Sequence, residues 1–397
     1  MSAVRMRMSR AFRLACSALV LLAGAAAAEP LSTAMRDVER LRGLTFVHDV
    51  AQRTVNRDDL RALLRAEVVK SFPYAPEQYV EILYAFQLVD TRSPELIDTL
   101  LDLYQSQVLA FYDPRSHTYF AVRELPAAVA GLGDPELLQQ SVVVHELVHA
   151  LQDQRFGASQ RDAQLLDDAD AELAYHALLE GEATLVMIAY VMDRAGQPLD
   201  SAINSDALMN LASIAAAADK TIDASTPRYF VESLKFPYLE GLRLVVEGYR
   251  RGGWKEIDRM HANPPRSTRE VLHRDEYFKR LGEAVERRAS ARRWPEGHRS
   301  TGVLSVEHIG EFQWRFLVGE AAAGWVDDRV MFVQNPACDM TVLAETQWEN
   351  ADNARAFRDA YVALLRRRGI EPSVSVEDRV VKVVYGAQME LAEGFMR

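Results

Sequence analysis

Cysteine is nearly absent from this chain, with two in 397 residues, Cys16 and Cys338. Two cysteines make no disulfide framework, so a packed core has to hold the fold, and a chain this long can bury one. Cys338 lies outside the amino-terminal segment and is expected to be a small buried residue. Runs of Lys or Arg are also missing. The formal net charge is −11, which argues against nucleic acid as a partner and is what a soluble acidic protein carries. Beyond residues 14–27 no stretch is long and apolar enough to cross a bilayer, so stable membrane insertion is not expected once that segment is removed.

That first segment reads as a secretory signal over residues 1–28. Arg5, Arg7, Arg10 and Arg13 form a basic start, an apolar run follows, and Ala26-Ala27-Ala28 offers a small-residue cleavage site before Glu29. The expected location is therefore exported, periplasmic or secreted. The whole chain is 49% hydrophobic and 26% charged, ordinary globular composition.

The chemistry is concentrated at Val144-His145-Glu146-Leu147-Val148-His149, an H-E-x-x-H pattern. On a helix, residues four apart lie about 40° apart around the axis, so both imidazoles leave one face. Two neutral imidazoles so placed suit Zn²⁺, and Glu146 beside them is placed to deprotonate a water that the metal activates. The flanks Val142, Val143, Leu147 and Leu151 are apolar almost all round. A buried helix carrying two His and one Glu needs partners or a metal for them. The pattern is short enough to arise by chance, so its surroundings decide its weight.

Asp134-Pro135 has the cap-and-proline signature of a helix start, predicting a helix over 135–156 with Gly157 as terminator. Before it, residues 108–112 and 118–122 read as two strands about an Asp113-Pro114 turn, a hairpin whose edge suits an extended peptide. After it, a helix over 170–194 contains Glu180-Gly181-Glu182-Ala183. A water-activating zinc takes three protein ligands and leaves one position open. Glu180 is the expected third ligand. Glu182 lies about 200° further round and is expected to be solvated or to support the ligands from behind. Gly181 in mid-helix costs about 1 kcal/mol against Ala, which predicts close packing at that point.

H-E-x-x-H followed by E-G-x-A on a second helix resembles the gluzincin metallopeptidases, over roughly residues 107–194. The resemblance implies that His145, His149 and Glu180 bind zinc and that Glu146 is the general base. It implies that the hairpin is the strand on which a peptide or protein substrate pairs. It also implies an oxyanion donor after the ligand helix. Tyr238, Tyr229, His261 and His273 are the candidates; Tyr238 is preferred because Pro237 suggests a helix start there. Several gluzincins have an Asp one turn after the ligand Glu to orient a zinc His; this chain has Thr184.

The remaining sequence is scaffold. Residues 31–104 carry helical periodicity, and residues 198–225 are alanine-rich and helical in pattern. A break at Pro295-Glu296-Gly297 separates residues 29–300 from a small α/β unit over 301–397, with strands expected near 329–333, 340–346 and 379–385 and a helix near 351–368. Trp325 to Arg329 reads as a polar turn. The expected fold is thus α+β. It comprises a mainly helical, zincin-like domain with a hairpin before its metal helix, and a small carboxy-terminal unit. The expected function is an exported zinc metallopeptidase. The alternatives are a metal hydrolase of non-peptide amides or esters, or a non-catalytic envelope protein that retains a zinc site. Oligomeric state is not readable.

Overall fold

The structure is a computed structural model. It describes residues 31–396 except 72–74, 124–134, 166–167, 205–207, 209–221 and 282–301. The signal segment, Asp134, most of the alanine-rich stretch and the break at 295–297 lie outside the described residues.

The chain is α+β and mainly helical, with two small sheets. The first sheet has the order β1-β3-β2. β2 (Ala110–Asp113) and β3 (Thr118–Val122) form the expected antiparallel hairpin. β1 (Ala51–Val55) joins β3 in parallel, within a stretch whose periodicity predicts helix throughout. Its side chains are exposed except Val55, and its partner lies more than sixty residues on, so local periodicity carries no trace of the pairing. Around it, α1 (Leu31–Arg42), α2 (Arg57–Ser71), α3 (Pro76–Ala85) and α4 (Glu95–Gln107) are helices as expected.

α5 (Pro135–Phe156) carries the H-E-x-x-H pattern and stops at Gly157, whose φ of 64° is left-handed. The short α6 (Ala158–Asp162) follows. α7 (Ala169–Arg194) begins where the Asp168 side chain accepts from Ala171 N at 2.9 Å. α8 (Leu199–Ile203) and α9 (Arg228–Gly252) come next. Pro237 lies inside α9 and does not mark a helix start. α7 and α9 cross backbone to backbone. A Cβ on Gly181 would stand 2.2 Å from Gly241 O, and one on Gly241 would stand 2.0 Å from Ala177 O. This is the close packing that a mid-helix glycine predicts. Val144, Leu147, Val148 and Leu151 of α5 are buried in one cluster with Ala183 and Val186 of α7 and Val38 of α1. α10 (Trp254–Ala262), α11 (Thr268–Leu272) and α12 (Arg274–Arg280) close this half.

The second sheet is antiparallel throughout, in the order β4-β5-β6-β8-β7. It comprises β4 (Val303–Glu307), β5 (Trp325–Gln334), β6 (Met340–Trp348), β7 (Ser373–Glu377) and β8 (Val380–Gly386). α13 (Gly310–Val318), α14 (Ala351–Arg367) and α15 (Leu391–Met396) complete the unit. β4, β7 and α13 extend the expected pattern. Trp325 to Arg329 is the start of β5, not a turn. Asp328 explains the difference: its buried carboxylate accepts from Ile309 N at 2.7 Å, Gly310 N at 2.9 Å, Trp314 Nε1 at 2.8 Å and Trp325 Nε1 at 2.9 Å. An acid with that many donors belongs in the interior. Cys338, expected to be buried, is exposed between β5 and β6, where its φ of 67° fits a tight turn.

This sheet does not bury its core alone. Leu60, Leu64, Leu83 and Phe86 of the amino-terminal helices belong to one apolar cluster with Trp314, Phe332, Phe357 and Tyr361. The Phe86 ring meets Trp314 edge-on at 5.1 Å and Phe332 at 5.6 Å.

Candidate metal centre

α5 and α7 bring His145, His149 and Glu180 to one point. His145 Nε2 lies 3.1 Å from Glu180 Oε2, His149 Nε2 lies 3.2 Å from His145 Nε2, and His149 Nε2 lies 3.5 Å from Glu180 Oε2. A tetrahedral ion with bonds of about 2.0–2.1 Å holds its ligand atoms roughly 3.3 Å apart. The triangle therefore fits such an ion without rearrangement. His145 and Glu180 are buried, and His149 is partly open to a cleft. Gln152, Asp153, Leu179 and Tyr112 also line that cleft.

The charges of the three groups point the same way. Burial opposes a charge on His149, but the Glu180 carboxylate and its hydrogen bond outweigh burial and lift the pKa to about 9. At His145 burial prevails and lowers the pKa. Burial would raise Glu180, yet the two imidazoles hold it down at about 2. Two imidazoles and a carboxylate thus favour positive charge at one point, the place a cation would take.

His149 is held by a feature the sequence reading missed. Gln152 Nε2 donates to Leu179 O at 2.9 Å and to Glu182 Oε2 at 2.7 Å. Both are acceptors, so the amide orientation is fixed and Gln152 Oε1 receives the His149 Nδ1 hydrogen at 2.9 Å. The Nε2 lone pair is thereby aimed at the ligand triangle. Behind Gln152, Glu182 Oε2 accepts from His261 Nε2 at 2.6 Å, and its Oε1 accepts from Arg42 Nε at 2.5 Å. Arg42 also donates to Asp258 at 2.6 Å and lies over the Trp254 ring. Glu182 is therefore buried behind the ligands and not solvated, the second of its two expected positions. Thr184 does not orient His145: Thr184 Oγ1 and His145 Nδ1 are both buried and make no hydrogen bond among the described residues.

Glu146 is fully buried beside the triangle, and its Oε2 accepts from Tyr112 N at 3.1 Å. Strand register explains that bond. Val122 N bonds Leu109 O, so with Ala110 opposite Ala121 the backbone groups of Ala110 and Tyr112 turn away from β3. Burial, and after it the Glu146 carboxylate, raises the Tyr119 phenol, which stays neutral next to the acid.

The oxyanion candidates separate clearly. The Tyr238 ring stacks near His145 at 6.2 Å but is buried and is not among the described residues lining the cleft. Tyr229 is buried against Phe316 in the other half, and burial pushes its pKa up to about 12. His261 is committed to Glu182 and stacks on Phe156 at 4.0 Å. His273 is partly buried and bonds Glu311 at 2.8 Å. The cleft itself offers Tyr112, which bonds His117 at 3.0 Å, and His176, neither singled out by sequence.

A family model described as a domain of unknown function (DUF8575) matches residues 287–393. That range covers the second sheet and its helices and contains none of the ligand residues. No curated protein and no solved structure matches the chain.

Proposed function

We propose that this protein is a zinc-dependent hydrolase that cleaves peptide bonds, of the gluzincin type its two motifs resemble, and that it acts after export. The observation that carries the reading is the convergence of His145 Nε2, His149 Nε2 and Glu180 Oε2 within 3.5 Å, with Glu146 buried alongside. His145, His149 and Glu180 would hold the ion. Bound there, zinc supplies a Lewis acid that polarises a carbonyl and acidifies water.

Glu146 takes a proton from the attacking water and returns it to the leaving amine. The hydrogen bond from Tyr112 N holds one oxygen of Glu146, which fixes the direction of the carboxylate. Gln152 holds His149 in the tautomer whose Nε2 is a donor to metal. A peptide substrate is favoured over a small amide because β2 is an edge strand that borders the cleft through Tyr112, and an edge strand suits an extended chain even with Tyr112 N held by Glu146.

Glu146→Gln should keep stoichiometric zinc and lose peptide hydrolysis by at least about a hundredfold, the scale of a lost general base. Zinc content by mass spectrometry and a fluorogenic peptide library give the two readouts. Parental turnover in that variant would remove Glu146 from the mechanism, and a metal-free parent would remove zinc.

A further inference from the structure

α7 carries a second ligand-bearing turn that the sequence reading passed over. Glu172, His176 and Glu180 stand at successive intervals of four, so one face of the helix presents all three. Glu180 belongs to the triangle already described. One turn earlier, His176 Nε2 lies 3.0 Å from Asp162 Oδ1, the residue that ends α6. Asp162, Glu172 and His176 each offer a ligand atom, and these atoms lie within 4.8 Å of one another. All three residues are buried, at 2%, 6% and 4% exposure. Solvated acidic clusters are common on surfaces, but two carboxylates and an imidazole gathered inside a protein are not. Asp162 and His176 also line the same cleft as His149 and Glu180, which gives an ion a path from solvent.

The geometry points to a second divalent-cation site at Asp162, Glu172 and His176, beside the candidate catalytic one. Two carboxylates and one imidazole form a hard-to-borderline donor set, suited to Zn²⁺ or Mn²⁺ and not to a thiophilic ion. The second site is set apart from the first by its own three ligand atoms, on Asp162, Glu172 and His176, none of which belongs to the triangle of His145, His149 and Glu180. An ion there ties α6 to α7, both of which line the cleft, through Asp162 and His176. The site stands on its own residues and does not depend on the peptidase reading.

The test is metal stoichiometry on the full chain, equilibrated with Zn²⁺ and separately with Mn²⁺, then desalted. Two equivalents are expected for the parent with at least one of the two metals. Glu172→Gln and His176→Ala should each fall from two to one, with hydrolysis of the probe peptide as a separate readout. His149→Ala should also fall to one, through loss of the other ion. Glu172→Gln is nearly isosteric, and circular dichroism confirms that it folds should His176→Ala not. A parent with a single equivalent that His149→Ala removes and Glu172→Gln keeps overturns the second site. A single equivalent with the opposite dependence supports the second site and overturns the catalytic one. No bound metal in the parent overturns both.

Discussion

Gln152 is the side chain on which the candidate centre turns. It is a neutral amide one helical turn past His149, and its value lies in the two acceptors that fix its orientation. Gln152→Ala should weaken zinc binding about 10- to 100-fold, the usual effect of losing a partner behind a metal ligand. A chelator competition measures it; unchanged affinity would mean that His149 is held by packing alone. Glu182 sits one step further back. Burial would raise its carboxyl, but the Arg42 and His261 charges hold it well below its ordinary value of 4.5. A carboxyl depressed on folding stabilises fully above its unfolded pKa, and the contribution is lost as pH falls through the folded value. The contribution of the Arg42–Glu182 pair is therefore full at neutral pH and erodes as pH falls below about 4.5, where the unfolded carboxyl takes up its proton while the folded one stays ionised. Glu182→Gln removes one of the two carboxylates that pair with the buried Arg42 guanidinium and should cost up to about 3–5 kcal/mol at pH 7. It should also flatten the acid limb of a stability–pH curve from urea melts. An acid limb equal to the parent's would show that other carboxylates set it.

At the scale of elements, the crossing of α7 and α9 decides where Glu180 and Tyr238 stand. The two glycines at the contact let the helix backbones touch, and neither position has room for a Cβ. Gly241→Ala should force the helices apart and destabilise by about 1–3 kcal/mol or more, because the obstacle is backbone and cannot rotate away. Thermal melts together with zinc affinity check this, since the same shift moves Glu180 off the histidines. A variant with the parental melting temperature would mean that the helices slide at little cost. Both helix ends, the hairpin and the glycine contact could be read in the sequence, because each rests on neighbours or near neighbours in the chain. β1 could not, nor could the place of Asp328 in a strand. A parallel partner and a set of indole and amide donors arrive from distant segments.

At the scale of the whole molecule, the amino-terminal helices bind the metal half to the carboxy-terminal sheet. Phe86, Leu83 and Leu64 are buried in one cluster with Trp314 and Phe332, so the amino-terminal helices and the sheet share a core. Deleting residues 302–397 should expose that face and abolish cooperative unfolding of what remains. Circular dichroism melts and limited proteolysis report it. A truncated chain that melts sharply at the parental temperature would show that the helices are self-sufficient.

The linear order of residues was enough for whatever follows from spacing within one helix or hairpin. It placed His145 and His149 on one face, set Glu146 beside them, kept Glu180 and Glu182 from reaching one point together and required a tight contact at Gly181. Those are consequences of 3.6 residues per turn and of the cost of glycine. Only the tertiary structure decided how the candidate ligands are supported. It put Gln152, Glu182, His261 and Arg42 into one hydrogen-bonded chain, turned Tyr112 N toward Glu146, drew Tyr238 away from the cleft and set Asp162 against His176. Arg42 and His261 lie about 140 and 80 positions from Glu182, and no periodicity spans that distance. What brings them together is the burial of Val38, Val148 and Val186 in a common core, a force that acts without regard to order along the chain.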